Sequence, residues 1–317
     1  MPDTSRRPRH GREHFFVEGE GLFGDADTAP ETAPVGDPPA RARAAATAAD
    51  FRFSRMGPRS DRRMPVGILR KVARAMAAGG DGADGTIPAG YTYLGQFVDH
   101  DLTFDQTTVA LGDHVSPADL LQGRSPSLDL DNLYGAGPGD PVSAEFYRDD
   151  RHLAVGRTVR VGSGRLVAHR AYDLPRTGDG SNADPRRVLI PDFRNDENLA
   201  VAQTHLAMIR FHNRVVDDLG SSVPTAQRFR RARRDVVLHY QWMLRHDYLP
   251  RICDGAVVAD VFDNGRKAFE VDADPLSVPT MPVEFSVAAF RFGHSMIRST
   301  YDWNAQFPNG SGDLFFL

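Results

Sequence analysis

The feature that most constrains the fold is an unbroken helical periodicity that begins at Asn198. Apolar residues there form two stripes on different sides of one predicted helix. The stripes consist of Leu199, Ala202, Leu206, Ile209 and Val216, and of Val201, Met208, Val215 and Leu219. A helix that is apolar on two sides is usually buried in a protein core. The second half of the chain is therefore predicted to build a helical core.

Further helices are predicted on both sides of this segment, and strands are few and short. One helix runs from Thr225 to Leu249 and ends at Pro250, because proline interrupts the backbone hydrogen bonds of a helix. Another carries the apolar stripe Phe285, Ala289, Phe292 and Met296, and residues 65–78 form an amphipathic helix. The predicted fold class is mainly α, in one domain.

The rest of the chain is predicted to be less regular. Residues 1–50, rich in Arg, Pro, Ala and Gly, are expected to form a disordered polar arm ahead of a domain over 51–317. Residues 79–88 and 174–188 are predicted loops, and a small hairpin is predicted within 145–172.

Composition excludes several classes of function. The net charge of −4 gives no reason to expect a nucleic-acid partner, and no apolar run is long enough to span a bilayer. The single cysteine, Cys253, excludes an internal disulfide and zinc sites built from several thiolates. No signal peptide is recognisable, so we expect a cytoplasmic location or secretion by another route.

A first candidate site surrounds His100, on a predicted helix. Asp99 and Asp101 flank it, and successive helical residues point in different directions, so one carboxylate can face the pocket of the histidine while the other faces away. Gln96 lies one turn earlier on the same face. A neutral imidazole beside an amide suits proton transfer, whereas a histidine considered alone is more often a packing or capping residue.

Alternating oxygen-bearing residues make a candidate calcium loop further along the chain. They are Ser125, Ser127, Asp129 and Asp131. Calcium binds six or more such oxygens, and Asp101 could complete the set. An Asx-rich turn is the alternative interpretation of the same spacing.

Two further segments carry candidate site residues. The run Arg194 to Glu197 resembles a helix start, with Asn195 or Asp196 as the cap. Arg194 places a cation at the positive end of that helix, which indicates a nearby anion or polarised ligand, or an ion pair with Glu197.

The last candidate is His294, predicted to lie inside an apolar helix. Its small neighbours, such as Gly293, would let a flat cofactor approach the backbone, and Arg291 lies one turn earlier. A core histidine without a ligand is the alternative. A metal site formed by His205 and His212 is not favoured, because no carboxylate stands at ligand spacing between them.

Taken together, the segments from about Tyr91 to Trp303 resemble the animal-type haem peroxidase superfamily, in its bacterial branch. Four motifs occur in the family's order: the one around His100, the acidic loop, the one around Arg194 and the one around His294. The resemblance implies a mainly α fold with haem b held between helices.

The resemblance also assigns roles residue by residue. His100 corresponds to the distal base, Gln96 to a distal amide, Arg194 to the distal arginine and His294 to the proximal iron ligand, with Arg291 one turn before it. Two carboxylates, Asp99 and Glu197, correspond to those that can form ester bonds to haem. The implied calcium ligands are Asp101, Ser125, Ser127, Asp129 and Asp131.

The chain departs from the family's pattern in three ways. Asn198 stands where some mammalian members have a methionine bonded to haem, so that bond is excluded. Arg291 stands where the oxygenase branch has a tyrosine, which favours peroxidase chemistry over fatty-acid oxygenation. The chain stops at Leu317, whereas family members continue with more helices and an asparagine that binds the proximal histidine. We therefore expect a domain that is incomplete at its C-terminus.

The implied function is a haem peroxidase that reduces hydrogen peroxide and oxidises a small donor, a phenol or a halide, in a response to oxidative stress. In it, His100 would move a proton between the peroxide oxygens, and Arg194 would stabilise developing charge. The alternative is a non-catalytic fragment that binds haem or calcium. A non-haem metal enzyme would leave Arg194 and the His294 segment unexplained.

Overall fold

The computed structural model describes residues 52–58, 64–78, 85–106, 114–115, 120–158, 172–271, 280–303 and 307–313, and the backbone of 16–17. The predicted N-terminal arm lies outside the described residues, except that Phe16–Val17 pairs with His114–Val115. None of the described helices combines the length and the apolar composition that crossing a membrane requires.

Helices form most of the regular structure, as the sequence predicts. The α-helices are α1 (Val66–Ala77), α2 (Gly90–Leu102), α3 (Asp131–Tyr134), α4 (Leu199–Asp218), α5 (Thr225–Met243), α6 (Leu249–Ile252), α7 (Gly255–Asn264) and α8 (Val283–Val287). Three short 3-10 helices cover Ser143–Phe146, Phe193–Asp196 and Ala289–Met296. The fold class is mainly α.

Strands are two residues long and occur in pairs. The parallel pairs are Phe16–Val17 with His114–Val115, and Phe53–Ser54 with Met281–Pro282. The antiparallel pairs are Gly156–Arg157 with Tyr172–Asp173, Arg176–Thr177 with Arg187–Val188, and Thr300–Tyr301 with Gly312–Asp313. Gly156–Arg157 and Tyr172–Asp173 pair at the edges of the segment for which a hairpin is predicted, and most of the segment between them, residues 159–171, lies outside the described residues. The prediction that 174–188 is only a loop is wrong, because its two ends pair as strands.

The core lies where α2, α4 and α5 pack together. Val201, Leu206 and Ile209 on α4 are buried, and they share one apolar cluster with Phe97 of α2 and Val236 of α5. Both apolar stripes of α4 therefore contribute to the core, as the sequence predicts. Burial of one such aliphatic side chain contributes on the order of 1.5–3 kcal/mol.

The helix after Met243 differs from its prediction. Leu244–Tyr248 forms a π-helical turn, and α6 follows directly with Pro250 in its first turn. A proline ring clashes with the carbonyl of the residue four positions earlier, and the wider turn accommodates that ring without ending the helix. The prediction that the helix stops at Pro250 is therefore wrong. Tyr248 is buried by this path, and it packs so closely on Gly95 that a Cβ there would lie 2.4 Å from its hydroxyl oxygen.

Two predictions about helix ends are also wrong. The segment with Phe285 and Met296 divides into α8 and the 3-10 helix Ala289–Met296, because the apolar stripe does not distinguish one long helix from two short ones. The N-cap of α4 is Asn198, whose side-chain oxygen accepts from the backbone N–H of Val201, and not Asn195 or Asp196.

A buried carboxylate joins the segments that surround the predicted site. Asp192 accepts hydrogen bonds from the guanidinium of Arg124 at 2.7 Å and from that of Arg194 at 2.6 Å. Arg194 also donates to the carbonyl oxygens of His100 and Thr103, at the end of α2. The pKa of Asp192 lies far below its usual range: burial would raise it, but the two arginines more than offset that effect.

Replacing Asp192 should destabilise the protein strongly. In Asp192→Asn, two buried guanidinium groups lose their shared counter-charge, so the free energy of unfolding should fall by about 3–5 kcal/mol in urea denaturation. The matched control is Asp218→Asn, which breaks an exposed pair with Arg214 and should cost about 0.3–0.5 kcal/mol. Equal losses in the two variants would contradict this account of Asp192.

Candidate functional site

The two histidines that the sequence singles out line the same cavity. It has a volume of about 260 Å³ and lies between α2, the start of α4 and the 3-10 helix Ala289–Met296. Its polar lining includes Gln96, Asp99, His100, Glu197, Asn198, Arg291 and His294. Its apolar lining includes Tyr248, Ile252, Phe290, Met296 and Ile297. Six of the predicted site residues thus come together from segments far apart in sequence.

The wall formed by α2 is arranged as its sequence predicts. Gln96, Asp99 and His100 line the cavity, whereas Asp101 is fully buried near Asp129 and Asp131 instead. The two carboxylates that flank the histidine therefore do face different surroundings. Asp99 forms a short ion pair with the guanidinium of Arg291, which links α2 to the opposite wall.

His100 is buried and held by an amide that the sequence analysis did not select. Its Nδ1 lies 2.8 Å from Oδ1 of Asn195, an oxygen that can only accept, and this contact favours the tautomer with the hydrogen on Nδ1 and the lone pair on Nε2. Burial lowers the pKa of His100 well below its ordinary value, and the charge of Arg194 lowers it further. The ring is therefore neutral at physiological pH and able to accept a proton.

Arg194 lies behind His100 and not among the residues that line the cavity. Its guanidinium binds Asp192 and two backbone carbonyls, and it stacks 4.7 Å from the ring centre of Phe104. The anion that its charge indicated is thus a carboxylate of this chain, two residues earlier. Arg291 is a cation that does line the cavity.

Glu197 and Asn198 together hold the side-chain amide of Gln96. Nε2 of Gln96 donates to a carboxylate oxygen of Glu197 at 3.0 Å, and its Oε1 accepts from Nδ2 of Asn198 at 3.0 Å. Since Asn198 also caps α4, the first turn of that helix determines how Gln96 is oriented. Asn198 lines the cavity, a role that its sequence position did not indicate.

His294 lies in a different environment from the predicted one. It is exposed, on the 3-10 helix Ala289–Met296, so the prediction of a histidine inside a buried apolar helix is wrong. Its Nδ1 lies 2.9 Å from the carbonyl oxygen of Arg291, which can only accept, so the neutral ring has its lone pair on Nε2. A neutral imidazole nitrogen that carries the lone pair is able to bind iron.

The predicted calcium ligands come together in part. Oxygens of Asp101, Asp129 and Asp131 lie within 4.8 Å of one another, and Asp101 is fully buried. Ser125 joins the group through its backbone N–H, which donates to Asp131. Ser127 is exposed, and its carbonyl accepts from Gln241 of α5, so no described contact joins it to the carboxylates.

Burial and mutual repulsion act on this acidic cluster (Asp101, Asp129 and Asp131). Burial raises the pKa of Asp131 to about 7, despite the opposing charge of Arg124. Burial and the two neighbouring carboxylates also raise the pKa of Asp101 well above its ordinary value. Leu128 and Leu130 adopt positive φ angles of 55° and 60°, an uncommon conformation for such residues, as the loop wraps around the cluster. Three carboxylates in this position are suited to a divalent cation.

Relatives of this chain are peroxidases by name. It is 26% identical over 251 residues to the "Peroxidase-like protein" of Margaritifera margaritifera, a match that covers 67% of this chain and 32% of the relative. It is 29% identical over 189 residues to the thyroid peroxidase of Rattus norvegicus, covering 57% and 20%. For the peroxidase of Drosophila melanogaster the identity is 27% over 209 residues, covering 62% and 29%. The chain thus spans about a third or less of the length of these relatives.

A family model matches most of the chain. Residues 110–312 match the model described as animal haem peroxidase. The match includes the acidic loop, Arg194, Glu197, Arg291 and His294, whereas the segment of His100 precedes it. Because the match covers more than half of the 317 residues, the chain belongs to the animal haem peroxidase family.

Proposed function

We propose that this chain is a haem-dependent peroxidase domain, which reduces hydrogen peroxide and oxidises a small donor, a phenol or a halide. The observation that carries the proposal is that His100 and His294 line one cavity, each with its Nδ1 hydrogen-bonded to an acceptor that leaves the lone pair on Nε2. Membership of the animal haem peroxidase family supports the same conclusion.

The residues of the cavity fit a haem. His294 would hold the iron, and the apolar residues Tyr248, Ile252 and Phe290 offer surfaces on which a flat macrocycle can pack. The cavity is somewhat smaller than the roughly 300–1,000 Å³ usual for ligand sites. It adjoins the exposed residues His294, Phe292 and Ile297, so an edge of a large ring can extend past them. When bound, haem supplies the metal that binds peroxide and stores its oxidising equivalents.

His100 is the proposed base. Its neutral ring accepts a proton from one oxygen of hydrogen peroxide at Nε2 and returns it to the other oxygen, which leaves as water. Gln96, held by Glu197 and Asn198, can orient the peroxide by hydrogen bonding. The low pKa of His100 keeps the ring ready for this transfer.

The two arginines have different surroundings. Arg194 is the proposed charge stabiliser. It would act through His100, whose pKa it lowers. Arg291 lines the cavity beside Asp99 and can stabilise negative charge there directly. Asp99 and Glu197 both line the cavity, which supports their proposed role as carboxylates that form ester bonds with haem.

We also propose that the acidic cluster binds calcium. The carboxylates of Asp101, Asp129 and Asp131 supply charge and oxygen ligands, and backbone carbonyls of the loop could add the remaining ligands. The complete burial of Asp101 beside two other carboxylates supports this, because placing several negative charges together away from water is costly unless a cation offsets them. A cation there would hold the end of α2, and hence His100, against the loop.

A haem- or calcium-binding fragment without turnover remains the second candidate. The exposure of His294 favours it, because a metal ligand open to water is less well fixed than a buried one. Under this candidate the chain would take up haem, but peroxide would not react faster than with free haem.

Replacing His100 should slow the reaction with hydrogen peroxide without preventing haem binding. In His100→Ala, the chain loaded with haem should keep the absorption band of histidine-ligated haem, while its reaction with hydrogen peroxide slows by about 100- to 10,000-fold in stopped-flow absorbance. His294→Ala should lose the histidine-ligated band itself. His239→Ala, an exposed histidine bonded within α5, is the control for both. An unchanged rate in His100→Ala would refute the assignment of the base.

Calcium should offset the loss of folding stability that the calcium-free protein shows as the pH rises. Asp131 has a pKa of about 7 when folded and about 3.9 when unfolded, so without calcium the folded state holds the extra proton. The stability from this proton is full below about pH 3.9 and is lost as the pH rises through about 7. Near neutral pH, calcium at 100 times its Kd should restore about 2.7 kcal/mol in thermal or urea denaturation.

The matched variants are Asp131→Asn, which should lose the response to calcium, and Asp218→Asn, which should keep it. A calcium response that is the same in both variants would show that the ion binds elsewhere.

A further inference from the structure

His100 is the first of three buried side chains that form a hydrogen-bonded row. Asn195 Oδ1 accepts from Nδ1 of His100 at 2.8 Å, and Nδ2 of the same amide donates to Nδ1 of His205 at 2.9 Å. Asn195 and His205 are completely buried, and His100 is 4% exposed. The complete burial of Asn195 and His205 keeps both away from bulk solvent, so each depends on its neighbour in the row for a hydrogen bond.

The side-chain amide of Asn195 makes the two ends of this row chemically different. An asparagine side chain has an oxygen that accepts at one end and a nitrogen that donates at the other. A partner that can only accept the donated hydrogen therefore determines which end faces His100. His205 is such a partner when its Nδ1 has the lone pair, and burial keeps its ring neutral by lowering its pKa to about 3.

We propose that Asn195 and His205 are positioning residues that hold the ring of His100 in the Nδ1–H tautomer, with its lone pair on Nε2. The consequence for catalysis rests on the proposed function, whereas the tautomer itself is a property of the chain without haem. Neither residue lines the cavity, so both act through His100.

His205 is needed because the amide can otherwise rotate. With the amide turned by half a revolution, Nδ2 would donate to His100, the lone pair would move to Nδ1, and Nε2 would carry the hydrogen. The ring could then not accept a proton from a ligand in the cavity. His205 is itself fixed, because it lies on α4 and packs edge-to-face on Phe97 of α2 with ring centres 5.7 Å apart.

Nitrogen NMR of the haem-free full chain, labelled with ¹⁵N-histidine, tests the proposal near neutral pH. His100 should show its hydrogen on Nδ1, and His205 should show it on Nε2. His212 is an internal reference of the opposite kind to His100, because its Nε2 donates to the carbonyl of Arg151 while its Nδ1 accepts from the hydroxyl of Tyr134. Single-histidine replacements assign the signals.

Variants separate positioning from general packing. Asn195→Ala should remove the preference for Nδ1–H at His100, and Asn195→Asp should preserve it, because a carboxylate still accepts from Nδ1. His205→Phe should also weaken the preference, although Asn195 is intact. The matched control is Asn213→Ala, which loses two hydrogen bonds to the backbone of Leu153 and should leave the tautomer of His100 unchanged.

The results that overturn the proposal are distinct from those that overturn the proposed function. Hydrogen on Nε2 of His100 in the unmodified chain refutes the proposal, and so does an unchanged tautomer in both Asn195→Ala and His205→Phe. Should Asn195→Ala fail to fold, the unmodified chain and His205→Phe still decide. If the tautomers are as expected but the haem-loaded chain does not react with peroxide, only the proposed function is refuted.

Discussion

The arrangement of the site depends on one buried charge, the carboxylate of Asp192. It neutralises Arg124, from the segment of the acidic loop, and Arg194, from the 3-10 helix that carries Asn195. Arg194 in turn binds the carbonyls at the end of α2. Because buried guanidinium groups require a counter-charge, these three segments can pack only in an arrangement that brings them to the same carboxylate.

Helix α2 connects the cavity with the acidic cluster. His100 belongs to the cavity and the next residue, Asp101, belongs to the cluster. Because the two residues are neighbours on one helix, a displacement of the Asp101 backbone would also displace that of His100, while their side chains face different surroundings. Asp99 makes a third connection, since its pair with Arg291 joins α2 to the segment of His294.

Sequence patterns predicted some features of this fold and site and missed others. The double stripe predicted the burial of α4, and helical geometry predicted that Asp99 and Asp101 would diverge, because both depend on local periodicity. The contacts of Arg194 were not predictable. Its main partners are Asp192 and backbone carbonyls at the end of α2, and no pattern in the sequence identifies them. The exposure of His294 depends on the break between α8 and the following 3-10 helix, and Asn195 could be recognised only from its contacts with two histidines.

The π-helical turn Leu244–Tyr248 also limits how this protein can evolve. A π turn holds one more residue than an α turn, so everything after it is rotated by about 100° relative to a continuous α-helix. Tyr248, the last residue of this turn, lines the cavity and contacts Gly95 closely. Substitutions in this turn leave the rotation intact, whereas loss of a single residue would remove it. Natural variation here should therefore consist of changes in residue type at constant length.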